Sequence, residues 1–136
     1  LDQSIRVWDY SNLRKKYYEA KSTGLQVIEM DVVLKHKIDG NERSVNWAVF
    51  HPTLNLIASG SDDKTLRIFK YSDVNWQEVE VLRNHTDNIT SCIFHPTYDF
   101  IFSVSEDCSM KIWDINKKKV LYSDKKEKDR FWIIIK

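Results

Sequence analysis

The sequence contains few residues that interrupt secondary structure or form disulfides: three glycines, two prolines and two cysteines in 136 residues. So few glycines and prolines exclude a collagen-like chain and argue against a flexible linker. The two cysteines, Cys92 and Cys108, form no C-x-x-C pair and have no histidine at zinc-ligand spacing. We therefore expect a reducing compartment, no disulfide framework, no metal and no cofactor.

Charge of one sign and long apolar runs are also missing. The net charge is +1 although 30% of the residues are charged, so both signs are mixed over the surface. This excludes a global basic field for nucleic acid or an anionic membrane. No apolar run reaches transmembrane length, and no signal peptide opens the chain. With 42% hydrophobic and 12% aromatic residues, the composition predicts a soluble, cytosolic, β-rich globular protein.

The segment 85–114 is the clearest structural unit of the chain. It contains three short runs rich in β-branched and aromatic residues: Ile89–Phe94, Phe100–Val104 and Met110–Trp113. His95 and Pro96 end the first run, and the polar residues 105–109 separate the second from the third. Three strands of about five residues joined by tight turns predict an antiparallel meander.

Other parts of the chain repeat this unit. The aromatic residues that end the third strands are Trp8, Phe69 and Trp113, and the turn aspartates are Asp2, Asp63 and Asp107. Both series step by 61 and then by 44 residues. A period near 44 resembles that of WD-repeat blades, which are four-stranded antiparallel sheets of a β-propeller. The longer first step predicts an insertion of 17 residues before the second repeat.

We therefore predict an all-β fold, a partial WD-repeat β-propeller with about two complete blades and parts of two flanking blades. The predicted divisions are the end of a blade (1–9), an insertion loop (10–31), two blades (32–74 and 75–118), and an outer strand with the start of a further blade (119–136). A short helical turn is expected around Leu13–Ala20, and a buried inner strand at 131–135. Because two blades leave sheet edges unpaired, we expect the chain to be a fragment of a larger propeller.

Four side chains within this segment have the spacing of the hydrogen-bonded quartet of WD-repeat blades: His85, Ser103, Asp107 and Trp113. The same residue types support nucleophilic catalysis, but Ser103 lies in mid-strand and no G-x-S-x-G elbow occurs. We interpret the set as a structural tetrad and the protein as not an enzyme. In the preceding repeat Asn41 and Phe69 stand at two of these positions, which predicts a less tightly tied blade.

The remaining polar clusters are interpreted as structural or solvated. His51 and His95 each precede a proline at a strand end, where they are typical turn residues. The basic runs at 117–119 and 125–128 are interleaved with acids and are interpreted as solvated surface. The basic run at 14–16 receives the same interpretation, with a contact to a membrane or partner as the alternative.

Several longer strings are more specific than the repeat itself. In chain order they are LRKK (13–16), VNWAVFHP (45–52), SCIFHP (91–96), SEDCSMKIWD (105–114) and KDRFW (128–132). Together they resemble the N-terminal WD-repeat propeller of coatomer alpha subunits, over nearly the whole chain except residues 17–31. Two alternatives stay open: a coatomer beta-prime-like propeller, and a WD-repeat adaptor of another complex, such as a ubiquitin ligase or a signalling complex.

The resemblance implies a non-enzymatic scaffold of the coat on vesicles that return from the Golgi to the endoplasmic reticulum. The propeller of that family has about seven blades, within the usual range for propellers, and recognises C-terminal dilysine signals of membrane cargo. The implied partners are other coatomer subunits and dilysine-bearing cargo tails. The implied location is the cytoplasm, with peripheral association with Golgi membranes and coated vesicles through the coat. No nucleic-acid partner is expected.

One pair of acids is a candidate for such recognition. In a propeller the residue before the turn aspartate points to the rim of the central channel, and here these residues are Leu1, Asp62 and Glu106. Two carboxylates suit two ammonium groups, because lysine is a compact charge that accepts varied carboxylate geometry. Channel walls also reduce screening. We predict Asp62 and Glu106 as dilysine-peptide contacts, and the alternative is that both are ordinary solvated acids.

Overall fold

The computed structural model describes residues 2–24 and 32–125, and within these ranges it contains ten strands and one helix. In chain order they are β1 (Ile5–Asp9), α1 (Ser11–Thr23), β2 (Val33–Ile38), β3 (Val45–Phe50), β4 (Leu56–Ser61), β5 (Thr65–Tyr71), β6 (Trp76–Arg83), β7 (Ile89–Phe94), β8 (Phe100–Ser105), β9 (Ser109–Asp114) and β10 (Lys119–Lys125). All strand pairs are antiparallel. The predicted all-β fold, a partial β-propeller, is confirmed.

The strands form three sheets. β1 pairs with β2, and each of the other two sheets is a four-stranded meander, in the orders β3-β4-β5-β6 and β7-β8-β9-β10. The meanders cover 45–83 and 89–125, so they are offset by one strand from the repeat units 32–74 and 75–118. The first strand of each repeat unit, β2 or β6, completes the preceding sheet, which links neighbouring sheets through the chain itself.

The same tight turn is built twice, between β4 and β5 and between β8 and β9. Lys64 and Cys108 have left-handed backbones, with φ of 69° and 65°. In each turn the aspartate before this residue, Asp63 or Asp107, accepts a hydrogen bond of 2.9 Å through Oδ1. The donor is the backbone amide two residues further along the chain. This local bond stabilises a backbone conformation that non-glycine residues rarely adopt.

A single apolar core joins the two four-stranded sheets. Its buried members come from both sheets: Ala58, Leu66, Ile68, Leu82, Ile89, Cys92, Phe94, Ile101 and Trp113. The sheets approach each other closely at Gly60, where an added Cβ would lie 2.5 Å from Cγ2 of Ile89. Only a residue without a side chain fits there, so Gly60 allows this close approach of the two sheets.

A second cluster joins the two-stranded sheet to the first four-stranded sheet through Ile5, Ile38, Ile57 and Phe69. A polar contact supports it, because His36 Nε2 lies 2.7 Å from the carbonyl oxygen of Ser72. Since a carbonyl only accepts, Nε2 carries the proton. The three sheets therefore pack in series, as successive blades of a propeller do.

The helix differs from the sequence-based expectation in length. A turn was predicted around Leu13–Ala20, whereas α1 extends over Ser11–Thr23 and ends at Gly24 in the left-handed conformation. No helix residue is buried, and good helix formers such as lysine, arginine, glutamate and alanine dominate its sequence. The strand predicted at 131–135 lies outside the described residues. In the part of the chain that the structure describes, no helix is long and apolar enough to cross a membrane.

Candidate functional site

The four predicted tetrad residues lie in one continuous hydrogen-bonded chain. His85 Nδ1 is 2.8 Å from Asp107 Oδ2, and His85 Nε2 is 2.7 Å from Ser103 Oγ. Trp113 Nε1 donates to the same Ser103 oxygen at 2.7 Å. His85 comes from the loop before β7, Ser103 from β8, Asp107 from the β8–β9 turn and Trp113 from β9. The chain of bonds thus ties the loop to the second and third strands of the sheet.

The direction of these bonds follows from the indole, which can only donate. Trp113 Nε1 donates to Ser103 Oγ, so the Ser103 hydroxyl uses its own proton to donate to His85 Nε2. Because Nε2 accepts this bond, the imidazole proton lies on Nδ1, which faces Asp107. Burial lowers the pKa of His85, and the hydrogen bond and charge of Asp107 only partly oppose this. The histidine is therefore neutral at pH 7.

Asp107 holds the outer end of this chain of bonds. Burial raises the pKa of the Asp107 carboxyl, but hydrogen bonds from the Ser109 hydroxyl, the Thr86 amide and the His85 ring outweigh it and hold the pKa well below its usual range. The carboxylate therefore stays ionised and orients both the ring and the turn.

The geometry of Ser103, His85 and Asp107 resembles a nucleophile–base–acid set, but Ser103 is not placed where it could attack a substrate. Ser103 is fully buried in the middle of the sheet, and Trp113 lies against it with only 2% of its surface exposed. A nucleophile must present its oxygen to a substrate and to oxyanion donors. Ser103 reaches no surface and its hydroxyl is already committed, so the arrangement stabilises the sheet.

The first four-stranded sheet has a different network at the corresponding positions. Asn41 is buried, and its Oδ1 accepts a hydrogen bond from Ser59 Oγ at 3.1 Å. Its Nδ2 is also buried and has no hydrogen-bond partner among the described residues. Phe69 replaces the indole and donates nothing, and it packs so closely on Gly40 that an added Cβ there would lie 2.6 Å from the ring.

A buried arginine in the same sheet was missed by sequence reasoning. Arg67 is 5% exposed and contacts three carboxylates, with Nη1–Glu78 at 2.7 Å, Nη2–Glu42 at 3.1 Å and Nη2–Asp63 at 3.4 Å. Burial raises the pKa of Asp63, but bonds from Thr65 and the Glu42 amide and the charge of Arg67 outweigh it and lower that pKa. The signal in the sequence was an arginine flanked by apolar residues within a strand.

Asp62 and Glu106, the predicted ligand contacts, occupy corresponding positions directly after β4 and β8. Both side chains are half-buried. Asn46 Nδ2 donates to Asp62 Oδ1 at 2.6 Å, and Asn88 Nδ2 donates to Glu106 Oε2 at 3.3 Å. Asn46 also donates to the carbonyl oxygen of Ile89 in the next sheet at 3.0 Å. The structure records no direct contact between the two acids.

Repeated four-stranded meanders, a loop-to-strand tetrad and packing of sheets in series define a repeat protein of the β-propeller class. The family model described as "WD domain, G-beta repeat" matches residues 32–70 and 76–114, and the chain belongs to this family.

Curated relatives extend the similarity. The chain is 46% identical to coatomer subunit alpha-2 of Oryza sativa subsp. japonica over 134 residues, 93% of the chain and 11% of the rice protein. It is 51% identical to coatomer subunit alpha of Saccharomyces cerevisiae over 104 residues, 76% of the chain and 9% of that protein. To coatomer subunit alpha of Dictyostelium discoideum it is 41% identical over 134 residues, 93% of the chain and 11% of that protein. The predicted resemblance to coatomer alpha subunits is confirmed, and the chain spans about a tenth of the length of these relatives.

Proposed function

We propose that the chain is part of a coatomer alpha subunit and serves as a non-enzymatic protein-interaction scaffold of the coatomer vesicle coat. The observation that carries this proposal is the identity of 41–46% to coatomer alpha subunits of rice and Dictyostelium over 93% of the chain. The buried state of Ser103 supports a non-enzymatic role, because the serine resembling a nucleophile reaches no surface.

The partners of this scaffold are other coatomer subunits, and its location is the cytoplasmic face of Golgi membranes and vesicles of retrograde Golgi-to-endoplasmic-reticulum transport. Association with the membrane is peripheral and passes through the coat. No nucleic acid is a partner, since acids and bases are mixed and the net charge is only +1.

The finer part of the proposal is recognition of C-terminal dilysine cargo signals by Asp62 and Glu106. Each acid uses one carboxylate oxygen to accept an asparagine side chain, which orients the carboxylate. The second oxygen of each has no hydrogen-bond partner among the described residues and can accept an ammonium group. The two acids occupy corresponding positions in consecutive sheets, directly after β4 and β8.

The test is binding of a fluorescein-labelled peptide ending in a dilysine signal to the intact protein, measured by fluorescence anisotropy. Asp62→Asn and Glu106→Gln remove the charges but keep an oxygen that accepts the asparagine bonds. Asp73→Asn is the matched control, because Asp73 is exposed in the turn between β5 and β6, at the other end of the sheet.

We expect the double variant to bind the peptide at least about tenfold more weakly, since two charge-assisted contacts are lost, and Asp73→Asn to bind like the unmodified protein. A peptide with both lysines replaced by alanine should not bind. Unchanged affinity in the double variant would exclude these acids as the contacts, and absence of binding by the unmodified protein would leave only the scaffold role.

A further inference from the structure

A groove between the two four-stranded sheets has no role in the function proposed above. Its volume is about 500 Å³, and it lies between the end of β6 and the start of β10. One wall is formed by residues 81–84, and the other by Trp113 and residues 118–120. All of these lining residues lie within the described part of the chain.

The rim of the groove is cationic. Arg83 and Lys118 are 61% and 64% exposed, and Lys119 beside them is exposed too. Lys118 contacts Glu80 at 2.7 Å, and Arg83 lies 3.8 Å from Glu42. No carboxylate of residues 2–24 and 32–125 lies within ion-pair distance of Lys119.

These existing ion pairs do not neutralise the rim for an incoming ligand. Exposed pairs contribute little free energy, because both partners are well hydrated when apart. A ligand carboxylate can therefore replace Glu42 beside Arg83 at small cost, because both of these side chains are exposed, and it gains the charge of Lys119 as well. Three cations on one rim also attract an acidic partner during diffusional encounter.

The floor of the groove is apolar. Leu82 and Trp113 are almost fully buried beneath it, and the half-buried Val81 and Val120 line it. An apolar floor with a charged rim is the usual composition of a protein–protein contact. It accepts apolar side chains of a narrow segment, whereas a bilayer surface, which is broad and flat, contacts projecting side chains and not the floor of a concave groove.

We propose that this groove binds an extended acidic peptide segment of a partner protein, with apolar side chains between the acids. The carboxylates face Arg83, Lys118 and Lys119, and the apolar side chains lie on Val81 and Val120. This ligand is opposite in charge to a dilysine tail, so the proposal does not depend on Asp62 or Glu106.

The test is anisotropy of a fluorescein-labelled peptide of alternating glutamate and leucine with the intact protein. A peptide with glutamine in place of glutamate is the ligand control. The variants are Lys119→Glu, and Lys119→Glu combined with Arg83→Glu. Lys70→Glu is the matched protein control, because Lys70 is exposed on β5 and pairs with Gln77 near the opposite end of β6.

We expect the glutamate peptide to bind, with affinity that falls about fivefold in Lys119→Glu and more than about twentyfold in the double variant, and falls with added salt. The glutamine peptide should not bind, and Lys70→Glu should bind normally. The proposal is overturned if the unmodified protein does not bind the glutamate peptide, if Lys70→Glu weakens binding as much as Lys119→Glu, or if the double variant binds unchanged. Retention on phosphatidylserine vesicles that needs Arg83 and Lys119, without peptide binding, would also overturn it and assign the groove to lipid headgroups.

Discussion

Asn41 accepts a hydrogen bond from Ser59 at 3.1 Å, across the same interval of 18 residues that separates His85 from Ser103. The amide thus stands in the first four-stranded sheet where the imidazole stands in the second. It makes the contact to the second-strand serine but none to the turn aspartate, and its Nδ2 has no partner among the described residues. The repeat therefore keeps the link from loop to second strand, although the residues that make it differ.

The two sheets should respond differently to loss of this link. His85→Ala leaves Ser103 and the carboxylate of Asp107 without their shared partner and is expected to lower the free energy of unfolding by about 2–3 kcal/mol. Asn41→Ala removes one hydrogen bond and an unsatisfied amide, so a loss of about 1 kcal/mol or less is expected. Urea denaturation followed by tryptophan fluorescence measures both. An equal or larger loss for Asn41→Ala would contradict this assignment.

The Arg67 ion network should be a main source of stability in the first four-stranded sheet. Arg67→Met removes a nearly buried cation and leaves Asp63 without its compensating charge, so we expect a loss of about 3 kcal/mol. The control is Arg6→Met, because Arg6 pairs with Asp2 at 2.6 Å but both side chains are about half exposed, and its expected loss is below about 1 kcal/mol. Similar losses in the two variants, measured by urea denaturation, would show that the network contributes no more than a surface pair.

Stability should decrease as the pH is lowered below neutrality, and His85 should be a cause. The pKa of folded His85 is lowered from its ordinary 6.5, mainly by burial. As the pH falls through 6.5 the unfolded chain binds a proton that the folded chain does not, so the unfolded state is favoured. The lowered pKa of Asp107 acts at lower pH, because its contribution is present above its ordinary 3.8 and is lost as the pH falls through the folded value.

The measurement is the free energy of unfolding of the unmodified protein and of His85→Gln between about pH 7 and about pH 5. We expect a decrease in the unmodified protein and a smaller decrease in the variant, which has no imidazole at this position. An identical pH dependence of the two proteins would refute the role of His85.

Ser103 should be chemically inert in the folded protein. Its oxygen is buried, donates to His85 and accepts from Trp113. A fluorophosphonate probe is therefore expected to leave Ser103 unlabelled under native conditions, as detected by peptide mass spectrometry. Labelling that disappears in Ser103→Ala would instead support a hydrolase.

The architecture was readable from the sequence because two independent markers, the strand-end aromatics and the turn aspartates, share one spacing. Ser103 could be placed in mid-strand because it lies between Phe102 and Val104 in a run of strand-forming residues. The Arg67 network was not readable, since its partners Glu42 and Glu78 lie 25 and 11 residues away, one in a loop and one on β6, and only the folded chain brings them to Arg67. The sequence-based prediction underestimated the length of the helix, because the ends of the helix depend on local helix propensity and not on the β repeat.

The roles of Asp62 and Glu106 remain predictions for a different reason. The sequence places them one residue before each turn aspartate, and the structure adds their bonds to Asn46 and Asn88. Contact with a cargo tail also depends on the ligand and on the surface around each carboxylate, which are features beyond the spacing of residues along the chain. The binding comparison with Asp73→Asn addresses this point.

The most direct test of the coat-scaffold role is the composition of the complex that contains this protein. The intact protein, tagged and expressed in its own cells, is isolated from the cytosol, and the co-purifying proteins are quantified by mass spectrometry. Our account predicts the other coatomer subunits in amounts comparable to the tagged protein, retained after a high-salt wash. Isolation without coatomer subunits, or with subunits of a ubiquitin ligase or signalling complex in their place, would contradict it.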